Sequence, residues 1–222
     1  MCAHVIRFWP EYQLLKQYVD DNRLGKLLVL SLHRISPRPG WTWENWIVKG
    51  ELSGGALADL HVHDADFVRY LCGEPKGVDC VIAKDPVSIW DYVFCNYYYP
   101  DMAVSAEGGW NLPSGFGFFM AYRAVFEKGS LEFDMRLNPS LVECTADGKV
   151  SHPVAPQVGG VGSAAAGGNI SSLGGYFNEI KYFVDCVDRN QEPTLVTIED
   201  SRNTVALLVR ETKSGEKKWK LT

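Results

Sequence analysis

The run SIWDYVFCNYYY at residues 88–99 decides how this chain folds. It is the centre of a stretch from Gly77 to about Val150 that reads as strand after strand. VDCVIA (78–83) precedes it, and MAVSAEGGW (102–110), GFFMAYRAVF (117–126), SLEFDM (130–135) and LVECT (141–145) follow, all rich in aromatic and β-branched residues. Turn-forming groups separate them: YPD at 99–101, LPSG at 112–115, KG at 128–129 and DG at 147–148. Connections this short suit antiparallel neighbours, because parallel ones need a crossover of roughly a dozen residues or more. In 88–99 both alternating sets are apolar or aromatic: Trp90, Tyr92, Phe94 and Tyr98 on one side, Ile89, Val93, Cys95, Tyr97 and Tyr99 on the other. A sheet with one wet face alternates apolar with polar. Both faces are therefore expected to be covered, one by helices and the other by a partner surface.

Outward from the strands the periodicity becomes helical. Pro10–Asp20 predicts a helix with Pro in its first turn, and 26–34 (KLLVLSLHR) a short strand. A loop rich in Pro and Trp spans 36–50, and Leu57, Leu60, Phe67, Val68 and Leu71 mark a helix ending before Gly73. A glycine-rich loop at about 158–175 leads to an amphipathic helix, 173–189, with Tyr176, Phe177, Ile180, Phe183, Val184 and Val187 on one face. Thr197 and Asp200 form a capping box for a last helix that runs to about Lys213 and stops at Gly215. The expected class is α+β: one domain over 1–222, with a large open, predominantly antiparallel sheet and helices packed on one face.

Composition excludes several functions. With 222 residues, 46% hydrophobic and 22% charged, the chain can bury a sizeable core. A net charge of −5 offers no basic field for nucleic acid. No apolar run approaches the ~20 residues of a membrane span, and the first ten residues lack a signal-peptide core. The six cysteines are scattered without a CxxC pair, which reads as reduced, buried thiols and a cytoplasmic location.

The chemistry-bearing stretch is GGALADLHVHDADFVRYLCG at 54–73. At ~100° per residue, Asp59, His63, Asp66 and Tyr70 fall in one stripe, apart from the packing stripe of Leu57, Leu60, Phe67 and Leu71. An Asp four residues before a His can accept the imidazole N–H, fix its tautomer and raise its pKa, giving a positioned acid/base for an alcohol proton. The same spacing also fits an Asp and a His solvated on a helix face. HVHDAD contains metal-ligand residue types, but His61 and His63 diverge by ~200° on a helix, so no metal is expected. Gly160, Gly162 and Ala165 form a G-x-G-x-x-A string without the strand before and helix after that dinucleotide binding needs, so no cofactor-binding residues are assigned.

Taken in order, HVIRFWPEY (4–12), GKLLVL (25–30), 54–73, YFNEIKYFVDCV (176–187) and VTIEDSRNTVALLVRETKSG (196–215) resemble the C-terminal part of the glucose–fructose oxidoreductase / inositol dehydrogenase (Gfo/Idh/MocA) family. The resemblance implies a Rossmann domain upstream, a C-terminal open-sheet domain that builds a homo-oligomer interface, and NAD or NADP in the full-length parent, with none bound by this chain. The family's D-x-x-x-H motif falls on Asp59 and His63, implying proton transfer at the substrate carbinol. Where many members carry two successive arginines this chain has Ile6 and Arg7, leaving Arg7 as a substrate contact. Trp43, Asn45 and Tyr122 are further substrate-binding candidates from polarity and location. The family's nucleotide fingerprint and its E-K-P lysine match nothing here, and Lys16 and Lys26 stand in unrelated contexts. The expectation is the substrate-side domain of an NAD(P)-dependent sugar or polyol oxidoreductase, inactive alone. A non-catalytic oligomerisation or ligand-binding module is the alternative.

Overall fold

The strands form one eight-stranded sheet, in the order β2-β3-β4-β1-β5-β6-β7-β8, in a computed structural model that describes residues 1–156 and 174–219. The strands are β1 (Leu27–Pro37), β2 (Gly77–Asp85), β3 (Ile89–Tyr98), β4 (Ala103–Leu112), β5 (Phe119–Phe126), β6 (Gly129–Asp134), β7 (Leu141–Thr145) and β8 (Val150–Ser151). β1 inserts between β4, its one parallel neighbour, and β5; all other pairings are antiparallel. The parallel pair is possible because the chain between β1 and β4 is long enough to cross over. The helices are α1 (Pro10–Asp20), α2 (Gly50–Ser53), α3 (Val62–Cys72), α4 (Gly174–Asp188) and α5 (Ile198–Trp219). The glycine-rich loop up to residue 173, with the G-x-G-x-x-A string, lies outside the described residues.

Period-2 alternation builds the core. Leu30 and Leu32 of β1, Val93 and Tyr97 of β3, Val104 and Ala106 of β4, and Ala124 of β5 are buried against Phe67 and Val68 of α3, Tyr12 and Leu15 of α1, and Leu207 and Leu208 of α5. The other face is open in this chain: Val81, Phe94 and Tyr98 are 52%, 54% and 53% exposed. Of the two covers expected over 88–99, the helices supply one. An α+β fold with an open, mostly antiparallel sheet and helices on one face is what the sequence indicates.

The capping box forms as expected. The Asp200 N–H donates to Thr197 Oγ1 at 3.0 Å, and the Thr197 N–H donates to Asp200 Oδ2 at 3.2 Å. Two expectations are corrected. Gly215 does not stop the last helix, which continues to Trp219. A Cβ at 215 would lie 2.4 Å from Ile82 Cδ1, so this glycine lets α5 approach β2 closely. Cys80 and Cys95 stand opposite each other across the β2–β3 ladder, joined as a disulfide, while Cys2, Cys72, Cys144 and Cys186 are free. Linear spacing gave no hint of that register. The helix α4 forms as expected, with its apolar side uncovered: Ile180 is 64% and Val187 62% exposed, whereas Gly175 packs on Trp9 and Glu179 and Cys186 turn inward. Amphipathic spacing shows which side is apolar, not that something covers it.

Candidate functional site

Three strand rows that build the core change character at one end of the sheet. On β1, Leu30 and Leu32 give way to Arg34 and Ser36; β4 ends its row at Trp110 and β5 at Met120. These residues meet a widened π-turn, Leu57–His61, that feeds α3. Between them lies a cavity of about 340 Å³. Its polar wall is Arg34, Ser36, Asp59 and His63; its apolar wall includes Trp9, Trp41, Trp110, Phe118 and Tyr176. A cavity with aromatic walls and a few convergent polar groups has the character of a small-molecule site.

Asp59 and His63 thus share one cavity, but not as an ideal helix would place them. The π-turn shifts Asp59 from its α-helical register. Among the described residues the two are not hydrogen-bonded, and His63 Nδ1 is buried without a partner. Burial, then the Arg34 guanidinium and His4, push the imidazole down to about 3, whereas the helical reading has Asp59 raising it. At neutral pH this is an uncharged imidazole that can accept a hydrogen bond, while the same burial and the Arg34 guanidinium oppose its protonation. Burial raises the Asp59 carboxyl.

The shift at His63 has a consequence for stability. Its pKa in the folded chain lies below the unfolded value of 6.5, so the unfolded chain binds the proton more readily. The neutral ring's contribution is complete above pH 6.5 and is lost as pH falls toward about 3. His63→Gln is expected to narrow the difference in urea-unfolding free energy between pH 7 and pH 4.

The rest of HVHDAD is divided among separate partners. His61, fully buried, lies 3.2 Å from Glu211 Oε2 and 3.2 Å from the Tyr97 hydroxyl, with its Cβ against Gly108. Asp64 Oδ2 accepts from Arg34 Nε at 2.7 Å. Asp66 accepts two bonds from Arg7, both at 2.7 Å, and a third from Thr204 at 3.0 Å. Asp66 and Tyr70 share the α-helical stripe of His63 but do not line the cavity, and Tyr70 carries the Arg7 guanidinium over its ring.

The substrate-binding candidates fare differently. Arg7 does not line the cavity: it is buried and committed to Asp66, the Leu195 carbonyl and Asp200. Trp43 is 80% exposed and Asn45 is exposed with φ 52°, both outside the cavity wall, where Trp41 stands instead. Tyr122 is a core residue whose hydroxyl donates to the Glu11 carbonyl. Sequence reasoning missed Arg34 because it closes the run 26–34, where it reads as the strand's polar end. Glu179, which the sequence reading does not assign, lies one turn beyond Tyr176. That carboxyl is 6% exposed, with Oε1 unpartnered, and burial pushes it up to about 7.

Residues 12–132, more than half of the chain, match the model of the GFO/IDH/MocA C-terminal domain. The chain belongs to that family. This GFO/IDH/MocA domain has no match among curated proteins. It is similar in structure to levoglucosan dehydrogenase in complex with NADH and levoglucosan (TM-score 0.77, 19% identity), covering 98% of this chain and 64% of that one. It is also similar to aldose-aldose oxidoreductase from Caulobacter crescentus complexed with glycerol (TM-score 0.74, 16% identity, 96% and 60%). An oxidoreductase domain protein from Kribbella flavida gives a TM-score of 0.77 at 16% identity, with 97% and 63% covered. The domain thus spans somewhat under two thirds of these chains. At such identities the likeness shows the fold. No helix among the described residues is long and apolar enough to cross a membrane.

Proposed function

We propose that this domain is the substrate-side half of an NAD(P)-dependent oxidoreductase acting on sugars or polyols. The observation that carries the reading is the His63 imidazole and the Asp59 carboxyl facing one aromatic-walled cavity. In oxidation, His63 accepts the hydrogen bond of the reacting hydroxyl and takes its proton as the hydride leaves and the carbinol oxygen becomes a carbonyl. Asp59 serves the substrate directly, accepting from a hydroxyl rather than orienting the imidazole. Trp9, Trp41 and Trp110 take the C–H face of a ring and exclude water. The nicotinamide dinucleotide, when bound, receives the hydride from the carbinol carbon. The polar wall fits the alcohol.

The uncovered apolar side of α4 runs from Tyr176, at the cavity, to Val187. It supports a nucleotide-binding domain seated there and closing the mouth, in keeping with the roughly one third of the relatives' length left unmatched. On this reading the chain alone does not turn over. The test is to fuse the domain to the nucleotide-binding part of levoglucosan dehydrogenase and follow NADH formation with levoglucosan, glucose and inositol. Sugar-dependent NADH supports the reading; a folded fusion that binds NAD yet oxidises none of them refutes it.

The exposed row Val81, Phe94 and Tyr98 favours a homo-oligomer formed through the open sheet face, and it is also what a non-catalytic oligomerisation module would present. Light scattering is expected to give a dimer or larger, and Phe94→Glu with Tyr98→Glu a monomer. A wild-type monomer at high concentration removes the interface.

A further inference from the structure

Arg34 is 4% exposed, on the β1 row that elsewhere builds the core, yet it lines the cavity. Its Nε donates to Asp64 Oδ2 at 2.7 Å, a charge-assisted bond that balances the cation. Its other edge is poorly engaged. Nη1 meets the Met120 sulfur at 3.6 Å, and Nη2 meets the Tyr12 hydroxyl at 3.4 Å, long for a charged donor. A guanidinium has five N–H donors in a rigid fork, and burying them unspent is unfavourable. Asp64 Oδ1, beside it, is also buried without a partner. The cavity that Arg34 lines offers a side from which oxygen atoms can reach this fork.

We propose that Arg34 is the specificity-determining donor of the cavity. Its Nη edge holds a second oxygen of the molecule whose hydroxyl faces His63, so that compounds with two neighbouring oxygens, such as the vicinal diols of a sugar ring, bind in preference to simple alcohols. The inference rests on the proposed function and names what selects its substrate. Because Asp64 neutralises the cation and Asp59 shares the cavity, the site favours uncharged sugars over sugar acids. A lysine cannot reproduce the planar fork.

The test titrates the 222-residue protein with levoglucosan, its mono-deoxy analogues and cyclohexanol, reading the indole N–H signals of Trp9, Trp41 and Trp110 by NMR. Arg34→Lys keeps a cation beside Asp64. A second variant, Arg34→Met with Asp64→Leu, removes the pair as a unit, so that no charge is stranded; thermal melts show which variants fold, and either one carries the test. Both are expected to weaken levoglucosan binding tenfold or more while leaving cyclohexanol within twofold. At least one deoxy analogue should lose its disadvantage in the variants. Levoglucosan binding within twofold of wild type, or equal weakening of every ligand, overturns the role of Arg34 while leaving the sugar-site reading intact. Absence of any saturable shift in the wild type overturns both.

Discussion

Asp66→Ala is expected to remove about 3–5 kcal/mol of folding stability, the cost of stranding a buried charge. Asp66 is fully buried and Arg7 nearly so, and the pair is bidentate with both bonds at 2.7 Å. The same guanidinium reaches the Leu195 carbonyl at 2.6 Å and Asp200 at 3.4 Å, and Thr204 donates to Asp66. One ion pair therefore ties the segment before α1 to α3 and to the start of α5. Against a typical total of 5–15 kcal/mol, the loss is a large fraction. Replacing both partners, Arg7→Met with Asp66→Leu, is expected to recover much of it, because no unpaired charge remains. Urea unfolding of the two variants and the wild type checks both outcomes.

His63→Ala in the fused enzyme is expected to lower kcat by 10²–10⁴, the usual contribution of a positioned acid/base. KM should change much less, since the aromatic walls and Arg34 remain. The imidazole is held neutral by burial and by Arg34, so the wild-type rate should not fall with a group near pH 6.5. Steady-state kinetics across pH 5–9, with melting curves to show that the variant is folded, measure both effects. A variant retaining wild-type kcat removes His63 from the mechanism.

Most of the fold was legible in the sequence because its signals are local. Alternation and short turns marked the strands from 78 to 145, and Pro10 and the Thr197–Asp200 box marked helix starts. The parallel pairing of β1 with β4 and the Cys80–Cys95 pair depend on register between distant segments, which periodicity does not encode. The site was half legible. Spacing put Asp59 and His63 together as a hydrogen-bonded pair; with the π-turn between them they line one cavity without that bond. Arg34 was hidden because a charged residue closing an apolar strand reads as the strand's end, and Arg7 was misassigned because its buried partner, Asp66, lies 59 residues away.

The most direct measurement is the titration of the His63 ring by NMR, in protein labelled at histidine nitrogens, with and without levoglucosan. The account expects a ring that stays neutral well below pH 6.5 and whose signals move when the sugar is added. A ring that protonates near pH 6.5 and does not respond to any sugar would contradict it.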